Sequence, residues 1–350
     1  MGHPRLPPWL SIGVAMIVAA TLAGCSSTAA TSSPTSSSPT SMASAAAPTP
    51  APTPTSAPTA RKKIVFIWPA ANAFTVPLSC GARDEAKKLG YDFQQTGPDT
   101  EDAAAQSNYF NSVTGQHPAG VLAEPSDAVA LRTAEAAMKA AGIKIVEVDT
   151  SLQDTTIAIS HVSSDNSAMG VQVAQEMAKR LGEKGRILIM SLPPGYSTLD
   201  ARVKAFSNEI TTNHPGIQLV GPLYGNTLSQ DTLNVTSTLA KYPDLAGIFF
   251  PDLTDGQGAA AALQESGKTG QLVVGAIDAS SAMVDLMMSG AVSFIVSQNP
   301  YQMGVLGVDQ LDNAFNGRPV QANIVTPAGL LTVANVTDPS MAQYLYQTGC

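Results

Sequence analysis

From Lys62 onward, short apolar runs alternate with stretches of about 12 to 15 residues that have the periodicity of helices. Residues 64–68 (IVFIW) are one such run, and residues 127–141 are an Ala-rich helical stretch followed by Gly142. This alternation is typical of βαβ units, in which helices cover a parallel sheet. The pattern begins again near residue 167, so the sequence predicts an α/β fold built from two successive units.

The first residues have the features of an export signal. Arg5 precedes a mostly apolar run from Trp9 to Ala23, and residues 22–25 (LAGC) resemble a bacterial lipobox. We therefore predict that residues 1–24 are a lipoprotein signal peptide and that Cys25 carries a lipid, which would hold the protein outside the cytoplasm on the cell membrane. The alternative is a single-pass anchor, but the apolar run is shorter than the roughly 20 residues that a spanning helix needs.

Residues 26–60 consist almost entirely of Ser, Thr, Ala and Pro and contain no charged side chain. Such a segment has too little apolar surface to offset the entropy lost on ordering. We predict a disordered tether over residues 25–60, with the folded part beginning at Arg61. The folded part then has about 290 residues, a length typical of two domains.

The charge of the folded part argues against two classes of partner. The sequence has 19 Lys and Arg residues and 27 Asp and Glu residues, and Arg5 is the only one of these that precedes Arg61. The folded part therefore has 18 basic and 27 acidic side chains, with a formal net charge of −9. This balance disfavours nucleic acid and anionic lipid as partners, so we predict contact with a membrane through the lipid anchor alone.

Five of the apolar runs lead into a carboxylate or an amide side chain. The five residues are Asn72, Asp149, Asp252, Asp278 and Gln298. In open parallel α/β sheets, ligands bind outside the carboxyl ends of the strands, so these side chains predict one polar pocket between two lobes. For a single residue such as Asp278, an N-cap of the following helix is an equally good explanation.

The sequence contains no recognisable catalytic or cofactor motif. HExxH, GxSxG and dinucleotide fingerprints are absent, and His117, His161 and His214 are scattered without the spacing of metal ligands. Residues 267–269 (GKT) follow a predicted helix and lack the leading Gly of a phosphate loop, so we interpret them as a turn. We predict no enzyme activity, no metal and no cofactor. Carboxylates, amides and an Arg instead fit a ligand rich in hydroxyl groups.

Four segments resemble a known family. They are residues 123–131 (AEPSDAVAL), 160–170 (SHVSSDNSAMG), 273–278 (VVGAID) and 297–304 (SQNPYQMG). Through them, the chain from about residue 62 to residue 335 resembles the ribose-type sugar-binding proteins of bacterial ABC importers, which are periplasmic binding proteins of type I. The resemblance implies two Rossmann-like lobes with parallel sheets, joined by a three-stranded hinge. The first lobe would comprise residues 61–163 plus 299–328, and the second residues 164–298 plus 329–350.

The resemblance also implies a set of ligand-binding residues. They are Asn72, Phe74, Asp149, Arg202, Asn226, Asp252, Asp278 and Gln298. The alternatives are that Phe74 belongs to the core and that Arg202 is solvated on its helix. The implied function is that of a solute-binding lipoprotein of an ABC importer, which closes on a sugar, contacts the permease subunits and acts as a monomer.

The sequence departs from the family's pattern at positions that bear on the ligand. Thr150 stands where ribose binders have an Arg, Thr75 replaces a second Phe, and Asp252 replaces an amide; Asn226 falls near a position often held by an aromatic residue. With one cation and little stacking surface, a neutral pentose or acyclic polyol is favoured over an acid or a hexose. The rival hypothesis is a receptor for a signalling furanosyl compound that feeds a sensor. A repressor is disfavoured because no helix-turn-helix motif precedes Arg61.

Two cysteines, Cys80 and Cys350, remain after Cys25. In an exported protein they can pair, and a bridge would fix the C-terminal residue. Two unpaired thiols are the alternative, and the sequence leaves both possibilities open.

Overall fold

The computed structural model of the protein describes residues 61–350, apart from the side chains of residues 254 and 255. The predicted signal peptide (residues 1–24), the lipid on Cys25 and the tether (residues 25–60) lie outside the described residues. Within residues 61–350, no helix is both long enough and apolar enough to cross a membrane.

Strands and helices alternate through the first half of the described chain. They are β1 (Lys63–Ile67), α1 (Thr75–Lys88), β2 (Asp92–Thr96), α2 (Ala103–Gln116), β3 (Gly120–Ala123), α3 (Arg132–Ala140), β4 (Lys144–Val148) and β5 (Ser160–Ser164). The helix predicted over residues 127–141 begins only at Arg132. The reason is local, because the Asp127 side chain accepts hydrogen bonds from the amides of Val129 and Ala130 and holds them in a turn.

The alternation continues through the second half. The elements are α4 (Asn166–Leu181), β6 (Gly185–Ser191), α5 (Ser197–Asn213), β7 (Ile217–Tyr224), α6 (Leu228–Lys241), β8 (Leu245–Phe250), α7 (Leu253–Glu265), β9 (Val273–Ile277), α8 (Ser281–Met288) and β10 (Phe294–Ser297). They are followed by α9 (Pro300–Phe315), β11 (Asn323–Thr326), β12 (Gly329–Leu331) and a 3₁₀ helix (Pro339–Tyr344).

The strands form two six-stranded sheets with the same order. The first sheet is β11-β5-β4-β3-β1-β2 and the second is β12-β10-β9-β8-β6-β7. Every pairing is parallel except that of β10 with β12. The prediction of an α/β fold with two parallel-sheet lobes is therefore confirmed.

Each sheet and the helices packed on it form one lobe. The first lobe contains the first sheet, and the second lobe contains the second sheet. The chain passes between the sheets at the β5–α4, β10–α9 and β11–β12 connections. The residue boundaries of the lobes stay a prediction.

Helix α9 returns the chain from the second sheet to the first lobe by packing closely on α1. A Cβ atom added to Gly81 would lie 2.0 Å from the carbonyl oxygen of Tyr301, and one added to Gly304 would lie 2.0 Å from that of Leu78. These two glycines therefore allow the helix backbones to touch. Met303, on the same helix, is fully buried in the core of the first lobe.

The C-terminal residues also return to the first lobe. After β12 the chain packs along the second lobe, and Tyr344 lies in its core. The last residue, Cys350, forms a disulfide with Cys80 on α1 of the first lobe. Their Cα atoms are 5.6 Å apart, within the range of about 4.4 to 6.8 Å usual for disulfides.

We expect thiol labelling of the unfolded, unreduced mature protein, which would begin at Cys25, to find neither Cys80 nor Cys350 reactive, because the geometry pairs them. The Cys350→Ser variant is the control, since it should expose the single thiol of Cys80. Mass spectrometry of the labelled peptides reads both residues. Labelling of Cys80 and Cys350 in the native sequence would contradict the pairing.

Candidate functional site

A cavity lies between the lobes, at the carboxyl ends of the strands of both sheets. Its volume is small, about 70 Å³. Seven of the eight predicted ligand-binding residues line it, namely Asn72, Phe74, Asp149, Arg202, Asp252, Asp278 and Gln298. The two lobes thus bring together residues that are more than 200 positions apart in the sequence.

Asn226 is the exception, and the structure does not place it in the cavity, contrary to the prediction. It is exposed and follows β7. Because β7 is the edge strand of the second sheet, its carboxyl end lies to the side of the cleft and not above it. The family's pattern indicated which position corresponds to Asn226, but it did not predict the path of the loop after β7.

Asp149 and Asp278 occupy equivalent positions in the two lobes. Asp149 follows β4 and Asp278 follows β9, which are the third strands from the same edge of their sheets. Both have a left-handed backbone, with φ of 58° and 78°, a conformation that Asp adopts more readily than most residues. Their amides still donate to the neighbouring strands, to the carbonyl oxygens of Val162 and Val296. Each strand therefore ends just before its Asp, and the side chain of that Asp turns into the cleft.

Asp278 is held by two donors on one oxygen. Its Oδ1 accepts hydrogen bonds from Nε2 of Gln298 at 2.8 Å and from the hydroxyl of Tyr346 at 2.6 Å. Its Oδ2 lies 3.9 Å from Nη1 of Arg202. Helix α8 is capped instead by Ser280, whose side chain accepts from the amide of Met283. The N-cap explanation for Asp278 is therefore wrong.

Arg202 is buried on α5, so the alternative of a solvated side chain is also wrong. Its side chain is 2% exposed. Nε donates to Oδ1 of Asn166 and Nη1 donates to the carbonyl oxygen of Pro251, both at 2.7 Å. A Cβ atom on Gly170 would lie 2.3 Å from the carbonyl oxygen of Arg202, which shows how closely α4 supports this residue. The guanidinium is thus fixed before any ligand is present.

Among the lining residues, five buried polar atoms have no hydrogen-bond partner within the described part of the chain. They are Oε2 of Glu124, Oδ1 of Asp149, Oγ1 of Thr150, Oε1 of Gln298 and Nη2 of Arg202. A buried polar group without a partner costs about 1 to 3 kcal/mol. A ligand whose hydroxyl groups donate to the oxygens and accept from the guanidinium would remove that cost.

Burial changes the protonation of the acids in the cavity. Burial raises the pKa of Asp149 to about 7; Arg202 opposes the shift, and Asp278 and Glu101 add to it. Burial, followed by repulsion from Asp149, holds the pKa of Glu124 well above its usual range. Glu124 therefore keeps its proton to a higher pH than a free Glu side chain, and near pH 7 Asp149 is divided between its two forms.

The pKa of Asp149 has a consequence for stability. In the unfolded chain its pKa is about 3.9, so between pH 4 and 7 the folded protein keeps a proton that the unfolded chain has lost. The stability that this proton contributes is present at low pH and is lost as the pH rises through about 7. We expect the free energy of unfolding of the apo protein to fall from pH 5 to pH 8, and Asp149→Asn to flatten the fall.

Chemical denaturation at each pH checks this expectation. Part of the fall should persist in Asp149→Asn, because burial also raises the pKa of Glu147 to about 7. The exposed Asp285 offers a matched control, and Asp285→Asn should keep the native profile. A profile of Asp149→Asn parallel to that of the native protein would contradict the assignment.

Several lining residues were missed by the sequence analysis. Glu124 follows β3 directly, so the rule that found the other strand-end acids could have found it. Glu101 and Tyr196 lie in loops and have no such signal. Tyr196 comes from the second lobe and interacts electrostatically with Glu101 of the first, so their proximity depends on how the lobes meet.

The lobes touch each other next to residues that line the cavity. The amide of Ala128 donates to the carbonyl oxygen of Gly195 at 3.0 Å, and the amide of Ser151 donates to Oγ of Ser197 at 3.0 Å. Gly195 lies in the loop between β6 and α5, and Ser197 is the first residue of α5. The start of α5 and the loop before it are therefore in direct contact with the first lobe.

Phe74 both packs in the core and lines the cavity, so the two sequence-based explanations hold together. Its ring lies edge-on to that of Tyr346, with the ring centres 5.8 Å apart.

Among the described residues, no cluster of three or more His, Cys, Asp or Glu side chains has the arrangement of a metal site.

Comparison with known proteins connects this geometry to a family. The family described as periplasmic binding protein domain matches residues 64–319. The ribose import binding protein of Escherichia coli is 28% identical over 252 residues, which are 72% of this chain and 83% of that protein. The xylitol-binding protein of Mycolicibacterium smegmatis is 27% identical over 237 residues, 67% of each chain.

A solved structure matches the fold closely. It is an ABC transporter solute-binding protein from Agrobacterium vitis with bound α-D-tagatopyranose. The two structures have a TM-score of 0.80 and 28% sequence identity, over 82% of this chain and 100% of the other.

Proposed function

This chain belongs to the periplasmic binding protein family, and on that basis we propose that its cavity binds one small neutral sugar or polyol, with a pentose or an acyclic polyol favoured. Its class is that of the sugar-binding solute-binding proteins of ABC transporters and not of enzymes. The compared proteins are named for ribose and xylitol or hold a tagatose, which supports a hydroxyl-rich ligand. The choice among such ligands is inferred from the charge and the apolar side chains of the cavity lining.

The charge of the lining is the observation that carries the proposal. Five carboxylic acids line the cavity, Glu101, Glu124, Asp149, Asp252 and Asp278, and Arg202 is the one cation among the described lining residues. Glu124 and Asp149 keep their protons to higher pH than free acids do, but the other three acids still outnumber the one cation, so an anionic ligand would be repelled. Carboxylates that accept from hydroxyl groups, with one guanidinium that donates, match a neutral polyhydroxylated molecule.

The apolar lining favours a small ligand. Phe74 and Tyr196 are the aromatic residues among the described lining, and the other large apolar side chains are Leu192, Leu199 and Leu253. A hexose ring in such sites is covered on its C–H face, which needs a flat aromatic surface. Because Phe74 packs edge-on against Tyr346 and Tyr196 interacts with the acid Glu101, a pentose or an open-chain polyol is the better match.

Thermal unfolding with a panel of compounds tests the proposal. The panel contains D-ribose, D-xylose, xylitol, D-tagatose and D-glucose, with a furanosyl signalling compound and D-ribonate as comparisons. A ligand at about 100 times its Kd stabilises the folded state by about 2.7 kcal/mol, which should raise the Tm by roughly 5 °C. We expect this shift for at least one neutral pentose or polyol.

The outcome of the panel separates the hypotheses. A shift with the furanosyl signalling compound alone would favour a receptor that feeds a sensor. A shift with D-ribonate alone, or with no compound, would reject the proposed ligand class. X-ray scattering with the best ligand then tests closure, because the radius of gyration should fall at saturation. Equal radii with and without ligand would contradict a hinge.

Delivery to a membrane transporter is part of the proposal. The names of the relatives, an import binding protein and an ABC transporter solute-binding protein, support an ABC transporter as partner. We propose that a monomeric carrier delivers the ligand to the permease subunits. Uptake of the labelled ligand by cells should be lost when the coding sequence is deleted and restored by the native protein. Unchanged uptake would point to the sensor instead.

We also propose that a lipid on Cys25 anchors the protein and that residues 26–60 tether it to the membrane. The support is the LAGC motif at residues 22–25 and the uncharged tract that follows. Cys25→Ala should move the exported protein from the membrane fraction to the soluble fraction, as measured by immunoblotting of both. Retention of Cys25→Ala in the membrane fraction would show that another element anchors it.

A further inference from the structure

We propose that Tyr346 is a positioning residue for the ligand-binding carboxylate of Asp278, and that a C-terminal strap, residues 345–350, holds it there. The strap is tied to the first lobe by the disulfide between Cys80 and Cys350. The inference rests on the proposed function, since it assigns a role in the binding of the sugar or polyol to residues that follow the last strand. Tyr346 is not itself among the lining residues of the cavity.

The contact with Asp278 determines which carboxylate oxygen faces the cavity. The hydroxyl of Tyr346 and Nε2 of Gln298 both donate to Oδ1, at 2.6 and 2.8 Å. Oδ1 is therefore occupied on the protein side, and Oδ2 is left on the side of Arg202. Rotation of the carboxylate would break both hydrogen bonds, so the two donors fix its plane before a ligand arrives.

Tyr346 is in turn fixed by the end of the second sheet. Its amide donates to the carbonyl oxygen of Ala279 at 3.1 Å. One step earlier, the hydroxyl of Ser297 donates to the carbonyl oxygen of Tyr344 at 2.7 Å and accepts from the amide of Ala279 at 3.2 Å. The backbone at Tyr346 is thus bonded directly to Ala279, the residue that follows Asp278, and the backbone at Tyr344 is bonded to it through Ser297.

The ring of Tyr346 is held from the other side by the first lobe. It is buried in the same core cluster as Phe74 and Leu78 and meets Phe74 edge-on. Four residues further on, Cys350 is bonded to Cys80, and four extended residues span at most about 14 Å. The strap therefore joins the two lobes by a short connection that lies outside the three crossings between the sheets.

The disulfide explains why a chain end can hold a side chain in place. Terminal residues are ordinarily poorly ordered unless something ties them down. Here the second lobe holds the strap at Tyr346 and the first lobe holds it at Cys350. Loss of either attachment frees the hydroxyl of Tyr346 from Asp278.

A double-mutant cycle on binding tests the proposal. Native protein, Tyr346→Phe, Asp278→Ala and the double variant are titrated by calorimetry with D-ribose, xylitol and D-tagatose. Tyr346→Phe keeps the ring and removes one hydrogen bond to a charged group, so we expect binding to weaken about 10-fold. In the Asp278→Ala background the same change should cost less than about 2-fold, because the residue it acts through is gone.

A matched control separates positioning from a structural role. Tyr344 lies in the same segment, with its ring against Gly329 of the second lobe, and Tyr344→Phe should leave the affinity within about 2-fold of native. The paired variant Cys80→Ser with Cys350→Ser should weaken binding, and Tyr346→Phe should then add less than about 2-fold. An equal loss from Tyr346→Phe with and without Asp278 would overturn the proposal.

A second measurement distinguishes a failure of this inference from a failure of the proposed function. If the native protein binds none of the three probes, the proposed ligand class fails. Chemical denaturation of the native protein and the three variants, all without ligand, then tests the contact between Tyr346 and Asp278. We expect the destabilisation by Tyr346→Phe to be smaller when Asp278 is already replaced. Strictly additive effects in the apo protein would overturn the contact, and with it the inference.

Discussion

We expect Asp278→Ala to weaken binding of the best neutral ligand by about 30-fold or more, while the apo protein stays folded. Removal of one partner from a buried, charge-assisted hydrogen bond costs roughly 2 to 5 kcal/mol, and 2 kcal/mol corresponds to about 30-fold in Kd. The carboxylate lies at a rigid strand end and is bonded to Gln298 and Tyr346, so little ordering cost remains when the ligand arrives. Titration calorimetry and apo denaturation of the same variant measure the two quantities.

Two companion variants show that the loss belongs to the carboxylate. Asp278→Asn should have an intermediate affinity, because an amide oxygen still accepts but has no charge, and Asn tolerates the left-handed φ of 78°. Asp285→Ala removes an exposed acid from the following helix and should bind as the native protein does. Native affinity in Asp278→Ala, with a loss of about 1 kcal/mol in stability, would show that Asp278 serves the fold alone.

Arg202→Ala has the larger expected effect. The guanidinium is the one cation among the described lining residues and is bonded to Asn166 and Pro251. Removal of the charged partner from a buried hydrogen bond to a ligand costs roughly 2 to 5 kcal/mol, so we expect binding to weaken about 100-fold or more. Removal of Arg202 also removes the charge that lowers the pKa of Asp149, so this acid should hold its proton to higher pH.

The chain offers a matched control on the same helix. Lys204 is exposed two residues further along α5, and Lys204→Ala should leave the affinity unchanged. Arg202→Lys keeps a charge but loses the planar fork and its fixed donors, so it should bind more weakly than the native protein and more tightly than Arg202→Ala. Calorimetric titration compares the three. Native affinity in Arg202→Ala would show that Arg202 does not contribute to ligand binding.

The residues at the strand ends were predictable because the same rule for ligand sites applies to both sheets. Asp149 and Asp278 directly follow buried apolar strands, and the carboxyl ends of parallel strands meet at one edge of the sheet. The same rule applied to β3 would have found Glu124. Asn226 shows the limit of the rule, because a strand at the edge of the sheet places its end beside the cleft.

The contacts between distant segments were not predictable in the same way. Glu101 and Tyr196 meet because loops of different lobes close on each other, and no local pattern in the sequence records that approach. Tyr346 was missed for a similar reason, since its position depends on the path of the chain after β12 and on the disulfide at Cys350. The sequence raised the pairing of Cys80 with Cys350 as one of two possibilities, and the fold brings them together.

Calorimetric titration of the native protein with a neutral ligand and with its carboxylate counterpart tests the central claim most directly. D-ribose with D-ribonate, and xylitol with D-xylonate, differ mainly in charge. The five acids and one cation of the cavity predict one bound neutral molecule per chain, with the carboxylate binding at least about 30-fold more weakly. Tighter binding of the carboxylate, or no binding of any neutral sugar or polyol, would contradict the proposed function.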